Sequence, residues 1–378
     1  MRRNMDRPDN RAARLPGRRV NRTRVGSTRD LAGDLPVVAV SAAERDDADI
    51  AGQFRAWLTE CGHLRPLVVS SRHGARLADA VDDAVDRIAP PAWANQAWTR
   101  ELVESIVENG ADAVLAIGGG RCLDLAKLAA ARAGVPLLVV PTQLSHDGIC
   151  SPVAVVPGSH GIAESIPAAA PAAAFFSLPT LARSPLRSIR AGLGDLLTNP
   201  LALRDWEMAA ETGMDELHEP SWHLSMEAYH MIERWLDGVD ENDVRNPQFL
   251  GLLSFALSNS GLAMMRAGSS RPASGAEHKI SHAIDLVHGG RAMHGEQVAF
   301  ASIIATALHG MEVGPVFRRL IALELPHHPS HLGLSYEELA DVILRAPETR
   351  PGRWTVLEHA ELTKPSALGL ITSLWGAA

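Results

Sequence analysis

Between residues 66 and 141 the chain repeats one pattern, and that repetition narrows its folding options more than anything else in it. PLVVS at 66–70 is a short apolar run, and the stretch from Ala75 to Ile88 then reads as an amphipathic helix. After the break APPAWANQAW, a second helical stretch covers Thr99 to Asn109 and leads into the buried-strand run AVLAIGGG at 113–120. A third helix, Leu123 to Ala133, returns to VPLLVVP at 135–141. Alternation of this kind predicts a parallel sheet with helices on its faces, here an α/β domain over 35–186. After about residue 186 the period becomes helical, as in 221–237, 247–266 and 296–312, which predicts an all-α domain over 187–378. The length of 378 residues, more than twice a typical domain of roughly 150, agrees with two domains. No repeat of a solenoid or propeller is present. A cleft between two unlike domains is the natural ligand site.

Charge separates the head of the chain from the rest. The first 35 residues carry ten Arg and four Asp, whereas the whole chain has a net charge of −8. Residues 1–34 therefore read as a basic, disordered tail. Without aromatic interleaving or helical period it does not resemble a nucleic-acid-binding arm. No apolar run suggests a membrane span or signal peptide, so a cytoplasmic protein is expected. Cys61, Cys122 and Cys150 are odd in number and far apart, which argues against a disulfide framework and a cysteine zinc site.

The strongest local signal is AIGGGRCLDLAK at 116–127, where an apolar strand ends in Gly118, Gly119 and Gly120 and a helix begins at once. Glycines allow close backbone approach, and the helix start presents free N–H groups to an anion. A tight turn would use such a run equally well, and the spacing is not GxGxxG. Next comes VVPTQLSHDGICSP at 139–152, a buried strand opening into a polar loop with Thr142, Ser145, His146, Asp147 and Ser151. Strand carboxyl ends are where α/β sheets bind ligands, although local turn bonding explains the same residues. Lys127 is one of three lysines and has no assigned role.

A scattered third group combines Asp195 in AGLGDLLTNP, His278 and His282 in ASGAEHKISHAIDLV, and His294 in RAMHGEQVAF. A carboxylate with imidazoles is a divalent-metal donor set. His278 and His282 share a helical face, and spacing alone does not decide whether both reach a metal.

In this order, GGGRCLD, PTQLSHDGICSP, GLGD, SGAEHKISH and HGEQV resemble the sn-glycerol-1-phosphate dehydrogenase family. That family belongs with iron-containing alcohol dehydrogenases, glycerol dehydrogenases and dehydroquinate synthases. The likeness runs from about Pro66 to the end and includes RPGRWTVLEHAEL at 350–362. It implies a dehydroquinate synthase-like fold: an α/β nucleotide-binding domain, a helical domain, and a metal-dependent site between them. Carried over, Gly118, Gly119, Gly120, Arg121 and Cys122 would hold the NAD or NADP pyrophosphate. Thr142, Gln143, Leu144, Ser145 and Ser151 would contact the same cofactor. Asp147 would meet substrate, Asp195, His278 and His294 would bind one metal, and His282 would stand beside substrate and off the metal. Zinc is the metal the resemblance implies, while iron or nickel suits the same donors.

The implied reaction is hydride transfer between nicotinamide and a small polyol phosphate or hydroxyketone, with dihydroxyacetone phosphate and sn-glycerol 1-phosphate as the leading pair. Neutral imidazoles are needed at the metal, so acid should release it. The turn SSRHG after the first strand has no acidic residue for an adenosine ribose, which leaves NAD and NADP both open. A cyclase of the dehydroquinate synthase type fits less well, since that family prefers a glutamate ligand and a Lys-bearing DSSVGGKT-like loop. A nucleotide-binding regulator that had lost chemistry would not need Asp195, His278 and His294. The expected partner is a small molecule, phosphorylated in the leading reading, with no nucleic acid, and apolar helical surfaces leave homo-oligomers open.

Overall fold

The computed structural model describes residues 37–41, 47–63, 65–82, 84–157, 163–240, 242–243 and 246–377. The expected basic tail at 1–34 lies outside the described residues. The strand-bearing part contains β1 (Val37–Ser41), α1 (Asp47–Cys61), β2 (Pro66–Ser70), α2 (Ala75–Ala78), β3 (Asp86–Ile88) and α3 (Thr99–Asn109). It continues through β4 (Ala113–Gly118), α4 (Gly120–Ala133), β5 (Leu137–Pro141), β6 (Val153–Pro157), β7 (Ala163–Pro167) and β8 (Ala173–Ser177). Six strands form one parallel sheet in the order β1-β8-β5-β4-β2-β3, and β6 and β7 make a separate antiparallel hairpin. The central strands β4 and β5 are buried throughout, as the unbroken runs AVLAIG and LLVVP require of strands covered on both faces. Gly110 and Gly134 take left-handed backbone (φ 60° and 68°) and stop α3 and α4.

The stretch Ala75–Ile88, expected as one amphipathic helix, is instead a single turn, α2, followed by the edge strand β3. Leu77, Ala78, Ala80 and Val81 still reach the core, beside α1 and β2. The backbone beyond them gains more from pairing with β2 than from continuing as helix, a tertiary preference that local period does not encode. Arg87 fastens the strand to the turn, donating to Asp79 Oδ1 (3.0 Å) and Val81 O (2.7 Å). The hairpin β6–β7 and the strand β8 likewise have no individual counterpart in the sequence pattern.

From Leu178 on, every element among the described residues is helical. Apart from short 3-10 turns, they are α5 (Leu178–Leu181), α6 (Leu186–Leu197), α7 (Asn199–Glu211), α8 (Glu219–Ile232), α9 (Pro247–Ala267), α10 (Ala276–His288) and α11 (His294–Leu308). Then follow α12 (Gly314–Ala322), α13 (Tyr336–Arg345), α14 (Val356–Ala360) and α15 (Lys364–Trp375). Helix α9 begins at Asn246, whose side chain accepts from Gln248 N, with Pro247 in the first turn. By length and composition α9 matches a membrane span, but 72% of its apolar window is buried inside the molecule, as for a core helix. One continuous apolar core runs from β4 and α4 through α9 and α11 to α15, so the sheet and the helices are packed together. A second core, with Phe54, Trp57 and Phe175 in ring contact, fills the opposite face of the sheet.

Candidate active site

Two successive strand ends supply the first wall. β4 ends at Gly118 and α4 starts at Gly120, with Gly119 as a cap residue whose helix start receives no side-chain hydrogen bond. The helix start therefore keeps amide donors for an anion. Arg121 turns its guanidinium away, donating to Pro91 O (3.0 Å) and Ala94 O (2.9 Å). Cys122 is buried against Val69 O and Ile117 O, and burial pushes its thiol up to about 12. Its own N–H is already bonded to Gly119 O, so packing explains Cys122 better than ligand contact. Leu144 is wholly buried core, whereas Thr142, Gln143 and Ser145 lie on the segment leaving β5.

The polar loop that follows is held from below by Lys127. Its buried ammonium donates to Gly148 O, Ser151 Oγ (3.3 Å) and Val153 O (3.1 Å), and Asp124 Oδ1 lies 3.8 Å away. That answers the open question about Lys127: it fixes the loop. Asp147 Oδ2 accepts from Ser260 Oγ of α9 at 2.7 Å, while its backbone N–H donates to Asp195 Oδ2 at 2.8 Å. Burial pushes the Asp147 carboxyl up to about 6, against the pull of the Ser260 bond and Lys127.

Three helices bring the second wall together. Asp195 comes from α6, His278 from α10 and His294 from the first position of α11, and their ligand atoms all lie within 4.8 Å of one another. Asp195 Oδ1 is 3.7 Å from His278 Nε2 and 3.9 Å from His294 Nε2, and it is buried without a hydrogen bond. Burial holds both imidazoles down to about 3, so they are neutral, lone-pair donors at ordinary pH. Burial, then the neighbouring charge of Asp147, raises Asp195 well above the usual carboxylate range. An orphaned carboxylate oxygen facing two neutral imidazole nitrogens fits a divalent cation, which supplies the charge this pocket otherwise lacks. Glu277 Oε1 lies 3.0 Å from His278 Nδ1 and leaves Nε2 aimed at Asp195.

His282 follows His278 by one turn, with its ring 6.5 Å from that of His278 and 6.0 Å from that of His294. Its Nε2 meets Arg350 Nη2 at 3.3 Å. A guanidinium only donates, so Nε2 accepts and the ring proton sits on Nδ1. Burial and the Arg350 charge depress its basicity well below the ordinary range.

Two residues to which the sequence assigns no role position the site: His146, already named in the polar loop, and Asp205. His146 accepts from Gly148 N through Nδ1 (3.0 Å) and packs edge-on to His294 with centroids 6.0 Å apart, joining the strand-end loop to the histidine cluster. Asp205 of α7 accepts from Ala276 N (2.6 Å) and Val356 N (2.7 Å), so one carboxylate caps α10 and pins the chain beyond Arg353. A buried acidic residue in a helix is a signal that could have pointed to Asp205; its two partners lie 71 and 151 residues away.

Comparison with known proteins bears on the family and the fold. The sequence pattern of the family described as iron-containing alcohol dehydrogenase matches residues 50–185. A glycerol-1-phosphate dehydrogenase [NAD(P)+] of Hyperthermus butylicus is 37% identical over 285 residues, 74% of this chain and 79% of that protein. The Thermococcus kodakarensis protein of the same name is 34% identical over 78% of this chain and 83% of its own. Among solved structures, a probable glycerol dehydrogenase from Sinorhizobium meliloti shares the fold with a TM-score of 0.73 at 22% identity, covering 90% of this chain and 96% of that one. A sulfoacetaldehyde reductase from Bifidobacterium kashiwanohense, solved in complex with NAD+, gives 0.68 at 16% identity, covering 93% and 100%. Given identity above a third across most of both sequences, the chain belongs to the glycerol-1-phosphate dehydrogenase family.

Proposed function

We propose that this chain is a metal-dependent NAD(P)H oxidoreductase that interconverts dihydroxyacetone phosphate and sn-glycerol 1-phosphate. The carrying observation is the orphaned Oδ1 of Asp195, facing Nε2 of His278 and of His294 beside the strand-end loop. Those three residues would hold the divalent ion, zinc first and iron or nickel on the same donors, and its chemistry is Lewis-acid polarisation of the substrate oxygen. A bound nicotinamide would supply or accept the hydride, and the amides at the start of α4 would hold its pyrophosphate. The chain's part is to bind and orient. Asp147 N–H and Glu277 fix the directions of Asp195 and His278. His282 stands between the histidine cluster and an open cavity, so it is the exchangeable group best placed to pass a proton between cavity water and the substrate oxygen. The cysteines are unpaired, Cys122 and Cys150 both buried, in keeping with a reducing cytoplasm.

The test is spectrophotometric. Net oxidation of NADH or NADPH with dihydroxyacetone phosphate, lost with a chelator and regained with metal, is expected, with chiral analysis giving the sn-1 product. No net cofactor oxidation with any small ketone, together with phosphate release from a seven-carbon ketose phosphate at constant NADH, would replace this reading with a cyclase.

A further inference from the structure

Beyond His282 the helical wall opens into a cavity of about 840 Å³ whose lining includes Ser165, Arg271, His282, Arg350 and Arg353. The three guanidiniums differ in what they hold. Arg271 is neutralised, donating to Asp215 Oδ2 at 2.6 Å and to Trp354 O at 2.5 Å. Arg350 donates only to neutral groups: Ser270 Oγ (2.8 Å), Ser165 Oγ (3.3 Å) and His282 Nε2 (3.3 Å). Arg353 donates to Ser274 O at 2.7 Å. Among the described residues, no carboxylate forms an ion pair with Arg350 or Arg353. Glu348 at the rim turns to Arg345 (3.3 Å), and Glu164 sits exposed on β7. Partial burial and the neighbouring cations push Arg353 down to about 9, a sign that the wall is short of negative charge.

This wall is fixed to the same helix that carries the histidines. Lys279 of α10 donates to Arg353 O (2.9 Å) and pairs with Glu358, while Thr349 Oγ1 donates to Lys279 O (3.4 Å). The separation between the guanidiniums and the His278–His294 cluster is therefore built into α10, with His282 bridging the gap.

We propose that Arg350 and Arg353 form the seat for the phosphate of a phosphomonoester substrate and set the preference for phosphorylated over plain hydroxyketones. Two guanidinium forks match the geometry and charge of a phosphate dianion. The short span across His282 suits a substrate whose reacting carbon lies only a few bonds from its phosphate. The proposal rests on the oxidoreductase reading for its substrate, though not for the existence of the anion seat.

Full-length protein carrying Arg350→Gln or Arg353→Gln, and Arg350→Lys or Arg353→Lys as charge-retaining partners, tests this in two ways. Calorimetric titration with inorganic phosphate should show binding to the unaltered protein and a loss of about 10-fold or more in each Gln variant. The kcat/KM ratio of dihydroxyacetone phosphate to dihydroxyacetone should fall on the order of 100-fold in the Gln variants and recover in part with Lys. Absence of phosphate binding to the unaltered protein, or a ratio that stays put while both rates fall together, overturns the seat. If a Gln variant does not fold, its Lys partner and the titration of the unaltered protein still decide. If no ketone oxidises the cofactor but phosphate binds and the variants lose it, the function reading fails while the seat stands.

Discussion

The two walls of the cleft are made of different material. The sheet-side wall is largely backbone: a glycine run, a helix start and a loop propped by one buried lysine. The helical wall is made of side chains, with a carboxylate, imidazoles and guanidiniums drawn from α6, α10, α11 and the 350–353 turn. A backbone wall fails when a Cβ intrudes and tolerates many side-chain changes. A side-chain wall fails when a donor is removed or misaimed, because its groups are aimed by neighbours, as Glu277 orients His278 and the Asp147 N–H orients Asp195.

Removing donors from the helical wall should have the largest effect. His278→Ala and His294→Ala are expected to lower metal affinity by about 100-fold or more and to abolish turnover together, read by metal analysis beside kinetics. His282→Ala should keep one metal per chain while turnover falls about 10²-fold or more, the scale of an acid–base group. Equal metal loss in all three variants would make His278 and His282 a shared chelate and end the division of labour between them.

Adding a methyl group separates the walls in the other sense. At Gly295, next to His294, a Cβ would lie 2.0 Å from Ala191 O, backbone that cannot yield. Gly295→Ala should therefore cost about 3 kcal/mol of stability by forcing α11 off α6. At Gly119 the nearest atom is Gln143 Nε2 at 3.0 Å, the end of a flexible side chain. Gly119→Val should leave the thermal midpoint within a few degrees and weaken NAD(P)H binding about 100-fold. Unchanged cofactor affinity in folded Gly119→Val would return the run to an ordinary turn. Lys127→Met should match the Gly295→Ala loss although it acts on the backbone wall, because it strips the loop of its prop and leaves Asp124 buried without its cation; about 3 kcal/mol of stability loss is expected in urea denaturation.

This difference in material also governs what the sequence discloses. The backbone wall is contiguous, so a strand ending in Gly118–Gly120 with a helix directly after it is legible from period and composition, although the helix starts at Gly120 and not at Leu123. The donor residues Asp195, His278 and His294 are legible as chemistry, but their meeting point depends on three helices and became an expectation only through family resemblance. Arg350, Arg353, Asp205 and Glu277 went unassigned because an arginine or a buried acid gains its meaning from partners far along the chain. The false helix at Ala75–Ile88 has the same origin. Its apolar residues are buried as the period requires, yet β2 offered the backbone a better partner.

The smallest expected effect concerns the edge of the backbone wall, where side chains do return. The turn after β2 packs on the glycine run: Ser71 N donates to Ile117 O at 2.9 Å, and a Cβ on Gly118 would meet Ser71 Oγ at 3.1 Å. In an α/β sheet, the end of the strand next to the phosphate loop faces the adenosine ribose, where a carboxylate selects NAD and an arginine accommodates a 2′-phosphate. Here that turn is Ser70-Ser71-Arg72-His73-Gly74, with Arg72 exposed and no acid among the five. The unaltered protein should therefore use NADPH at least as well as NADH, and Arg72→Asp should move the ratio of kcat/KM values toward NADH by about 10-fold, one charge-assisted contact's worth. Stability should not change, since the side chain lies in solvent. A cofactor ratio indifferent to this charge reversal would mean that the ribose lies elsewhere, and that the sheet-side wall recognises its ligand through backbone alone.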